Sequence, residues 1–280
     1  MNISTEFDGK LVGVTREIRG KNGNGHLTLQ RISNPVNKQT FNVHYDSGGD
    51  RLAIDSKKQT CFVGCYRVHG MGAYSMRDGQ EIWRRKDLKK IQSVSTFPFE
   101  DAVFCGREGA GHVLCSQTGK TITKTRGIKI MTHSPFDRTV LASGDSFELH
   151  RPYGTILGKI ERLSFGLLSA CFSKTAVLIS ESTQGLRCFD INSLEMLWES
   201  DPSPGYHFLK VGFCPTLQRF VGLRFYYIDR SDPDMMCIHF EPQTGKILKE
   251  FSIGTPTYYE FCQAGSHLIS HEFGLISVDR

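Results

Sequence analysis

The chain has 280 residues, a formal net charge of +5, and 28 glycines and 10 prolines spread along its whole length. A charge this small falls short of the concentrated positive charge of most nucleic-acid-binding proteins, and no apolar run approaches the roughly 18 residues of a membrane-spanning helix. We therefore expect one domain, residues 1–280, with many short turns, and we expect neither nucleic acid nor a membrane as its partner.

From the N-terminus onward the chain repeats a pattern of short apolar runs, which we name strands A, B, C and D of each repeat. Strand B recurs at intervals of about 37 to 51 residues, close to the period of four-stranded propeller repeats. Its copies are residues 11–14, 62–65, 103–106, 140–144, 177–180, 220–223 and 268–270. Strand A precedes most copies, at residues 52–55, 91–95, 128–131, 167–172, 208–213 and 258–261. No clean helical periodicity lies between these runs, so the sequence predicts an all-β chain.

Strands C and D form a hairpin with a polar or glycine-containing turn. In the second repeat Asp78-Gly79 joins residues 72–76 to 81–83, and this pair supplies the positive φ angles of a tight hairpin. The corresponding hairpins span residues 27–44, with the turn expected at 33–35, and residues 112–125, 147–160, 186–198 and 237–251. A single hairpin cannot bury its apolar face alone, so we expect the repeats to pack on one another.

The two ends of the chain complement each other in this pattern. The first repeat lacks an obvious strand A, and the last repeat has no strand D after residues 274–278. Open sheet edges invite pairing with other chains. We therefore expect residues 2–7 to close a ring near the termini, as either strand A of the first repeat or strand D of the last.

The hairpins resemble the repeat of quinoprotein-type (PQQ-like) β-propellers, and WD-repeat propellers are the next most similar family. The resemblance is carried by residues 190–198, by the shorter form at 78–83, and by the Thr-Gly-Lys turns at 118–120 and 244–246. It implies a single β-propeller of four-stranded antiparallel blades, with seven blades favoured and six as the alternative. Only two repeats carry the tryptophan of strand D, which argues against a quinone-binding dehydrogenase.

The nine cysteines indicate a reducing compartment. Their number is odd, and most of them lie in or beside predicted strands, where a thiol behaves as a small buried apolar group. These are Cys61, Cys65, Cys105, Cys171, Cys188 and Cys237. Residues 1–7 show no secretory signal, so we expect a cytoplasmic protein.

A charged residue stands at or just past the end of strand B in every repeat. The set is Arg16, Arg67, Arg107, Asp145, Glu181, Arg224 and Glu272. Equivalent positions in a radial repeat lie round one face, so these residues would form a charged ring whose arginines offer bidentate hydrogen bonds to a partner. The alternative is that a strand simply ends in a polar residue where it meets water.

Residues 224–230 have the composition of a protein interface. They place Arg224 and Arg230 beside Tyr226 and Tyr227, which are residue types enriched at binding hot spots. They also begin one of the two longest links between strands B and C, at 224–235, and the other is at 16–25. The alternative role of these side chains is packing between neighbouring repeats.

The strongest basic run lies between strand D of the second repeat and strand A of the third. It comprises Arg84, Arg85, Lys86, Lys89 and Lys90, and Lys120, Lys124, Arg126 and Lys129 add to it in the next repeat. In propellers, D–A and B–C links share one face, and a basic patch there attracts an acidic protein or nucleic acid. A solvated loop is the alternative.

The sequence shows no cofactor, metal or catalytic motif. Cys61 and Cys65 would lie about 13 Å apart on one strand, too far for a single metal ion. Gly119-Lys120-Thr121 lacks the first glycine of a phosphate-binding loop. We therefore expect no cofactor and name no catalytic residue.

Two functional hypotheses remain. The first is a non-enzymatic propeller that binds another protein across its loop face, as a scaffold, adaptor or inhibitor of the immunity type. The second is a propeller hydrolase or lyase that acts on a sugar or small metabolite in the central funnel, with single catalytic residues taken from several repeats.

Overall fold

The computed structural model describes residues 2–5, 11–17, 24–31, 34–45, 51–163, 167–182, 185–200, 206–226, 235–254, 259–261, 267–270 and 274–277. Within these ranges the regular elements are β-strands, and there is no helix. The strands form six four-stranded sheets and one three-stranded sheet. The prediction of an all-β chain is confirmed.

In every sheet the spatial order of the strands is their order along the chain, so each sheet is an antiparallel meander. The first sheet contains β1 (Asn2–Thr5), β2 (Leu11–Glu17), β3 (Asn24–Arg31) and β4 (Asn34–His44). The second contains β5 (Leu52–Asp55), β6 (Thr60–Gly64), β7 (Met71–Ser75) and β8 (Glu81–Arg85). The third contains β9 (Ile91–Thr96), β10 (Ala102–Arg107), β11 (Ala110–Cys115) and β12 (Thr121–Arg126).

The remaining sheets repeat this plan. The fourth contains β13 (Ile130–His133), β14 (Val140–Ser143), β15 (Phe147–His150) and β16 (Ile156–Ile160). The fifth contains β17 (Leu167–Phe172), β18 (Ala176–Glu181), β19 (Gly185–Asp190) and β20 (Met196–Ser200). The sixth contains β21 (Tyr206–Cys214), β22 (Arg219–Tyr226), β23 (Met236–Phe240) and β24 (Ile247–Ser252). The last contains β25 (Tyr259–Phe261), β26 (His267–Ser270) and β27 (Gly274–Ser277).

The N-terminal strand occupies one of the two positions expected for it. β1 pairs antiparallel with β2, with Ile3 opposite Val14. Residues 2–5 therefore supply strand A of the first sheet.

Two predicted boundaries were wrong. The turn expected at residues 33–35 is replaced by β4, which begins at Asn34 and includes Pro35. Proline is tolerated there because β4 is the last strand in its sheet, where a missing N–H need not break a ladder. The link expected at 16–25 is shorter, because β2 and β3 continue to pair as far as Glu17 and Gly25.

The chain comprises two compact units, residues 1–133 with 141–145 and residues 134–140 with 146–280. In the first unit, one apolar cluster joins Leu27 and Val43 of the first sheet to Val63 of the second. A further cluster joins Phe62 of the second sheet to Val103 of the third. Burial of an aliphatic or aromatic side chain contributes about 1.5–3 kcal/mol, so these clusters are the main source of stability between neighbouring sheets.

In the second unit, a cluster of the same kind joins the fifth and sixth sheets. It contains Leu178, Leu186, Phe213, Phe220 and Phe240, all of them buried. The cysteines expected in strands are also buried, namely Cys61, Cys65, Cys105, Cys171, Cys188 and Cys237. The prediction that these thiols serve as small apolar core groups is confirmed.

A tryptophan on strand D packs against the turn of the next hairpin. Trp83 of β8 lies over Gly119, and its Nε1 donates a hydrogen bond of 2.8 Å to the carbonyl oxygen of Ser116. A Cβ at position 119 would lie 2.7 Å from Cε3 of the indole, and the φ of Gly119 is +68°. Trp198 of β20 repeats the contact over Gly245, with a bond of 2.8 Å to Pro242. Glycine is therefore required in the two Thr-Gly-Lys turns by both conformation and space.

Between the fourth and fifth sheets the glycine lies on strand D and the large side chain lies in the hairpin turn, the reverse of the tryptophan contacts. The turn position holds Leu194, with φ +61°, and strand β16 holds Gly158 opposite its side chain. A non-glycine residue in this conformation costs of order 1 kcal/mol or more. The leucine fills the space that an aromatic ring of strand D fills elsewhere.

Candidate functional site

The site begins with three links that meet at one end of the second and third sheets, in the first unit. They are residues 65–70 between β6 and β7, residues 86–90 between β8 and β9, and residues 107–109, which comprise the last residue of β10 and the link to β11. We call this surface the loop face. Backbone hydrogen bonds join them, since Lys90 N donates to the oxygen of Tyr66 at 2.7 Å and Glu108 N donates to that of Lys90 at 3.3 Å. The links are thus fixed relative to one another by main-chain contacts.

The side chain of Glu108 connects the same links. Its two carboxylate oxygens accept hydrogen bonds of 2.8 Å each, from the Tyr66 hydroxyl and from Lys90 Nζ. These bonds, that from Lys90 first, hold the pKa of Glu108 below its usual value, and the positive charge of Lys129 adds to the effect. Arg51 lies over the Tyr66 ring, 5.1 Å from its centroid. The Tyr66 side chain is therefore occupied at its ring and at its hydroxyl.

Lys90 adopts a left-handed backbone conformation, with φ +57°. Such a conformation is uncommon for a residue with a side chain and persists where the surroundings determine it. Here the Lys90 N–H, carbonyl oxygen and Nζ are all bonded to the neighbouring links. The backbone strain is therefore part of the geometry that positions the loop face.

Exposed cations surround this hub. Arg67, Lys86 and Lys89 are exposed, and Val68 is an apolar residue with 63% of its surface in water. Arg107 is half-buried and donates from Nε to the carbonyl oxygen of Lys89 at 3.1 Å. Of the residues predicted as binding sites, Arg67, Arg107, Lys86, Lys89 and Lys90 are thus brought together on one surface.

The remaining two residues of the basic run take part in packing. Arg84 has only 7% of its side chain exposed and bonds to Glu81, the Tyr74 hydroxyl and the carbonyl oxygen of His69. Arg85 forms a bidentate ion pair with Asp87 and also donates to the carbonyl oxygen of Gly119. The positive charge of residues 84–90 that faces solvent is therefore carried mainly by the three lysines.

A positive field extends over the third sheet. His112 is buried on β11, and burial lowers its pKa, with further lowering by the charges of Arg107, Lys124 and Arg85. Arg126 and Lys129 follow at the end of β12 and in the next link, and both are exposed. Several cations therefore act on one sector of the first unit.

Three other members of the predicted charged ring are described, and each lies in a strand B or just after it. Arg16 lies opposite His26 in the register of β2 and β3. Asp145 is exposed after β14. Arg224 lies in β22 and forms an ion pair with Glu250. Tyr226 ends β22, but its side chain, together with Tyr227, Arg230 and Glu272, lies outside the described residues.

Glu181 does not fit the expectation of a surface ring. Only 1% of its side chain is exposed, and it forms an ion pair with Arg187 of the adjacent strand. It also accepts a hydrogen bond of 3.0 Å from the N–H of Leu163. A buried carboxylate needs such partners to offset its lost hydration, so its role is internal.

Sequence reasoning missed the hub formed by Tyr66, Glu108 and Lys90. Tyr66 and Glu108 adjoin the predicted Arg67 and Arg107, so their positions were visible as the ends of strands B. The hydrogen bond between them joins residues 42 positions apart, in two neighbouring repeats. The sequence therefore indicated that both residues lie at this surface, but it did not indicate that they form a hydrogen bond.

The arrangement offers little for catalysis in the part of the chain that is described. Ser95 Oγ lies 3.1 Å from His133 Nε2, the contact most similar to a nucleophile and base. Complete burial lowers the pKa of His133 to about 3. A base this weak does not activate a serine near neutral pH. Among the described residues no cluster of three or more His, Cys, Asp or Glu side chains could hold a metal ion.

An open depression of about 350 Å³ lies at the opposite ends of β5 and β9, between the A–B turns of the second and third sheets. Lys58 forms ion pairs with Asp55 and Asp101 there, at 2.8 and 3.5 Å, and Lys57 lies over the ring of Phe99. The charges of this depression are largely paired with one another. The described residues contain no helix of the length and hydropathy needed to cross a membrane.

Comparison with known proteins gives structural neighbours without sequence relatives. No protein-family model matches the chain, and no curated protein matches it. The β-propeller domain of Cps50 (Swd1) from Myceliophteria thermophila superposes with a TM-score of 0.70 and 10% identity, over 99% of this chain and 94% of that one. The C-terminal WD40 domain of Sif2 gives 0.68 and 14%, over 98% and 79%. BamB from Moraxella catarrhalis gives 0.61 and 15%, over 99% and 86%. The chain therefore has the β-propeller fold.

Proposed function

We propose that this chain is a non-enzymatic, protein-binding β-propeller that acts as a scaffold, adaptor or inhibitor of the immunity type, and that it binds its partner on the loop face. At a coarse level, the fold shared with WD40 domains supports a role as a protein-interaction scaffold. Since a fold hosts many functions, the site must carry the proposal.

The observation that carries it is the joining of three links through Glu108. Because Tyr66, Lys90 and Glu108 are bonded to one another, the surrounding side chains are presented on a backbone that is already ordered. Binding to a preorganised surface avoids much of the entropy cost of ordering loops. Arg67, Val68 and Lys89 then offer a mixed charged and apolar contact of the kind found in protein interfaces.

We extend the proposal to the whole chain. The seven sheets are seven blades of one domain, residues 1–280, closed near the termini, and the reducing cytoplasm is the compartment. The repeat of the sheets along the chain and the use of cysteines as buried core groups support these statements.

The segment 224–230 is a second proposed contact with the partner, through Arg224, Tyr226, Tyr227 and Arg230. The ion pair between Arg224 and Glu250 supports a position near the edge strand β24, because Glu250 lies on that strand. Arginine and tyrosine are the residues most often found at binding hot spots.

The test is affinity capture of the tagged protein from its native cytoplasm, followed by reconstitution with the purified partner. We expect Lys86→Glu with Lys89→Glu to weaken binding by about tenfold or more, since charge reversal at an interface costs on the order of 1.4 kcal/mol. We expect Arg224→Ala with Tyr227→Ala to weaken it as well. Unchanged affinity in the first variant would remove the loop face from the interface, and unchanged affinity in the second would remove the segment.

A further inference from the structure

The loop face contains carboxylates whose charge is already used within the protein. Glu108 accepts bonds from Tyr66 and Lys90, and Asp87 is held by the two guanidinium nitrogens of Arg85 at 2.8 and 2.6 Å. These contacts hold the pKa of both carboxyl groups below the usual range, so both are ionised and paired at neutral pH. Neither carboxylate is left to neutralise the cations around it.

Those cations are therefore in excess. Lys86, Lys89 and Arg126 are exposed and form no ion pair with any residue that the structure describes. Arg107 bonds to a carbonyl oxygen, which leaves its positive charge uncompensated. Asp145 is exposed in the β14–β15 link.

The apolar part of the surface is small and lies beside the charges. Val68 is 63% exposed and follows Arg67 in the β6–β7 link, which is bonded to the lysine-bearing link through Lys90 N and the carbonyl oxygen of Tyr66. A partner side chain over Val68 would remove apolar surface from water, worth about 25 cal/mol per Å². Cations next to one exposed apolar residue match a ligand that alternates carboxylates with apolar side chains.

We propose that the loop face binds an acidic segment of a protein partner, with carboxylates against Lys86, Lys89 and Arg107 and an apolar side chain over Val68. The proposal rests on the proposed function, and it adds the chemistry of the partner. Arginine and lysine are both suited to this role, since arginine holds a carboxylate by two hydrogen bonds and lysine attracts it as a point charge.

A nucleic acid fits this surface less well. Base stacking needs an accessible aromatic face, but Arg51 lies over one face of the half-buried Tyr66 ring and the hydroxyl is bonded to Glu108. An oligonucleotide is nevertheless included in the test as the competing ligand.

The experiment selects random peptides displayed on phage against the full-length protein and measures the affinity of the enriched peptides by fluorescence anisotropy. The variant is Lys86→Glu with Lys89→Glu, because neither side chain makes an ion pair among the described residues. The matched control is Lys174→Glu with Lys246→Glu, which makes the same change in charge at exposed lysines of two strand-to-strand turns in the second unit. Thermal unfolding of each variant verifies its fold, and a 20-nucleotide single-stranded DNA is titrated in parallel.

We expect the enriched peptides to carry clusters of Asp and Glu, to lose about tenfold or more in affinity in the variant but not in the control, and to bind more weakly as salt rises. Enriched peptides that lack acidic residues but still depend on Lys86 and Lys89 would overturn the proposed chemistry and leave the binding function standing. Peptides that bind the variant and wild type equally, or no enrichment, would contradict both. DNA that binds more tightly than every peptide, and depends on the same lysines, would overturn the proposal in favour of nucleic acid.

Discussion

Glu108 is the residue on which the loop face depends, because its carboxylate and its N–H together join the two neighbouring links. The contrast with Glu181 is instructive. Both residues follow or end a strand B, yet Glu108 faces solvent with two partners from other links, whereas Glu181 is buried against Arg187. A glutamate near the end of strand B thus serves a surface in one repeat and a core in another.

His133 gives a prediction about pH. Its pKa is about 3 in the folded protein against 6.5 for an ordinary histidine, so the unfolded chain binds a proton more readily than the folded one between these values. Stability therefore falls as pH decreases from about 6.5 towards 3. His112 and His150, whose pKa values are also lowered chiefly by burial, act in the same direction.

We expect the free energy of unfolding of wild type to fall by up to about 3 kcal/mol more than that of His133→Gln between pH 6.5 and pH 4. The measurement is urea unfolding at a series of pH values. The two slopes are compared, and not the absolute stabilities, since the substitution also changes packing against Phe97. Parallel slopes would show that His133 is not buried in its neutral form.

At the scale of the element, the packing of strand D on the next hairpin turn connects one sheet to its neighbour. The contact needs a large side chain on one partner and glycine on the other, as in Trp83 with Gly119 and Leu194 with Gly158. The indole N–H also satisfies a carbonyl oxygen that would otherwise lose a partner on burial.

We expect Gly119→Ala to destabilise the protein by more than Gly127→Ala. Both glycines have positive φ, +68° and +74°, but a Cβ at 119 meets the Trp83 ring at 2.7 Å, whereas a Cβ at 127 meets nothing within 4 Å. The difference between the two losses of unfolding free energy measures the steric contact of the added Cβ with Trp83. In a Trp83→Ala background this difference should vanish, because the ring that the added Cβ meets is no longer there. The free energies of unfolding are measured by chemical denaturation. If Gly119→Ala costs as much in the Trp83→Ala background as in wild type, the two residues are not in contact.

Much of this fold could be predicted from the spacing of apolar runs, because short strands with glycine turns leave a strong local pattern. The hairpin of Trp198 was recognised from its own residues, and the burial of Cys188 followed from its place in a strand. Contacts between repeats left no such signal. Nothing in the sequence indicates that Arg84 is buried against Tyr74 while Lys89 is exposed, since side-chain direction in these links depends on the neighbouring strand. The start of β4 was also predicted wrongly, because proline usually indicates a turn but an edge strand can include Pro35.

At the scale of the whole molecule, the proposed single domain predicts how the chain unfolds. If the sheets of both units belong to one domain, heating should give one transition whose calorimetric and van't Hoff enthalpies agree. Differential scanning calorimetry of the full chain measures both. Two separate transitions, or an enthalpy ratio well above one, would show that the units unfold independently.

The proposed role requires a rigid surface more than it requires chemistry. The loop face combines a bonded hub, uncompensated cations and the exposed apolar side chain of Val68. These charges would raise the association rate of a partner with a matching acidic segment, and they would fix the register in which it binds. The binding should accordingly weaken with salt.

The most direct test of the loop face is hydrogen–deuterium exchange of the protein alone and in complex with its reconstituted partner. We expect slower exchange in residues 65–70, 86–90 and 107–109 in the complex, because the partner covers these links. The hairpin turns at 192–195 and 243–246, which lie in the second unit, serve as internal controls and should exchange equally in both samples. Protection confined to those turns, with none in the three links, would contradict the central claim.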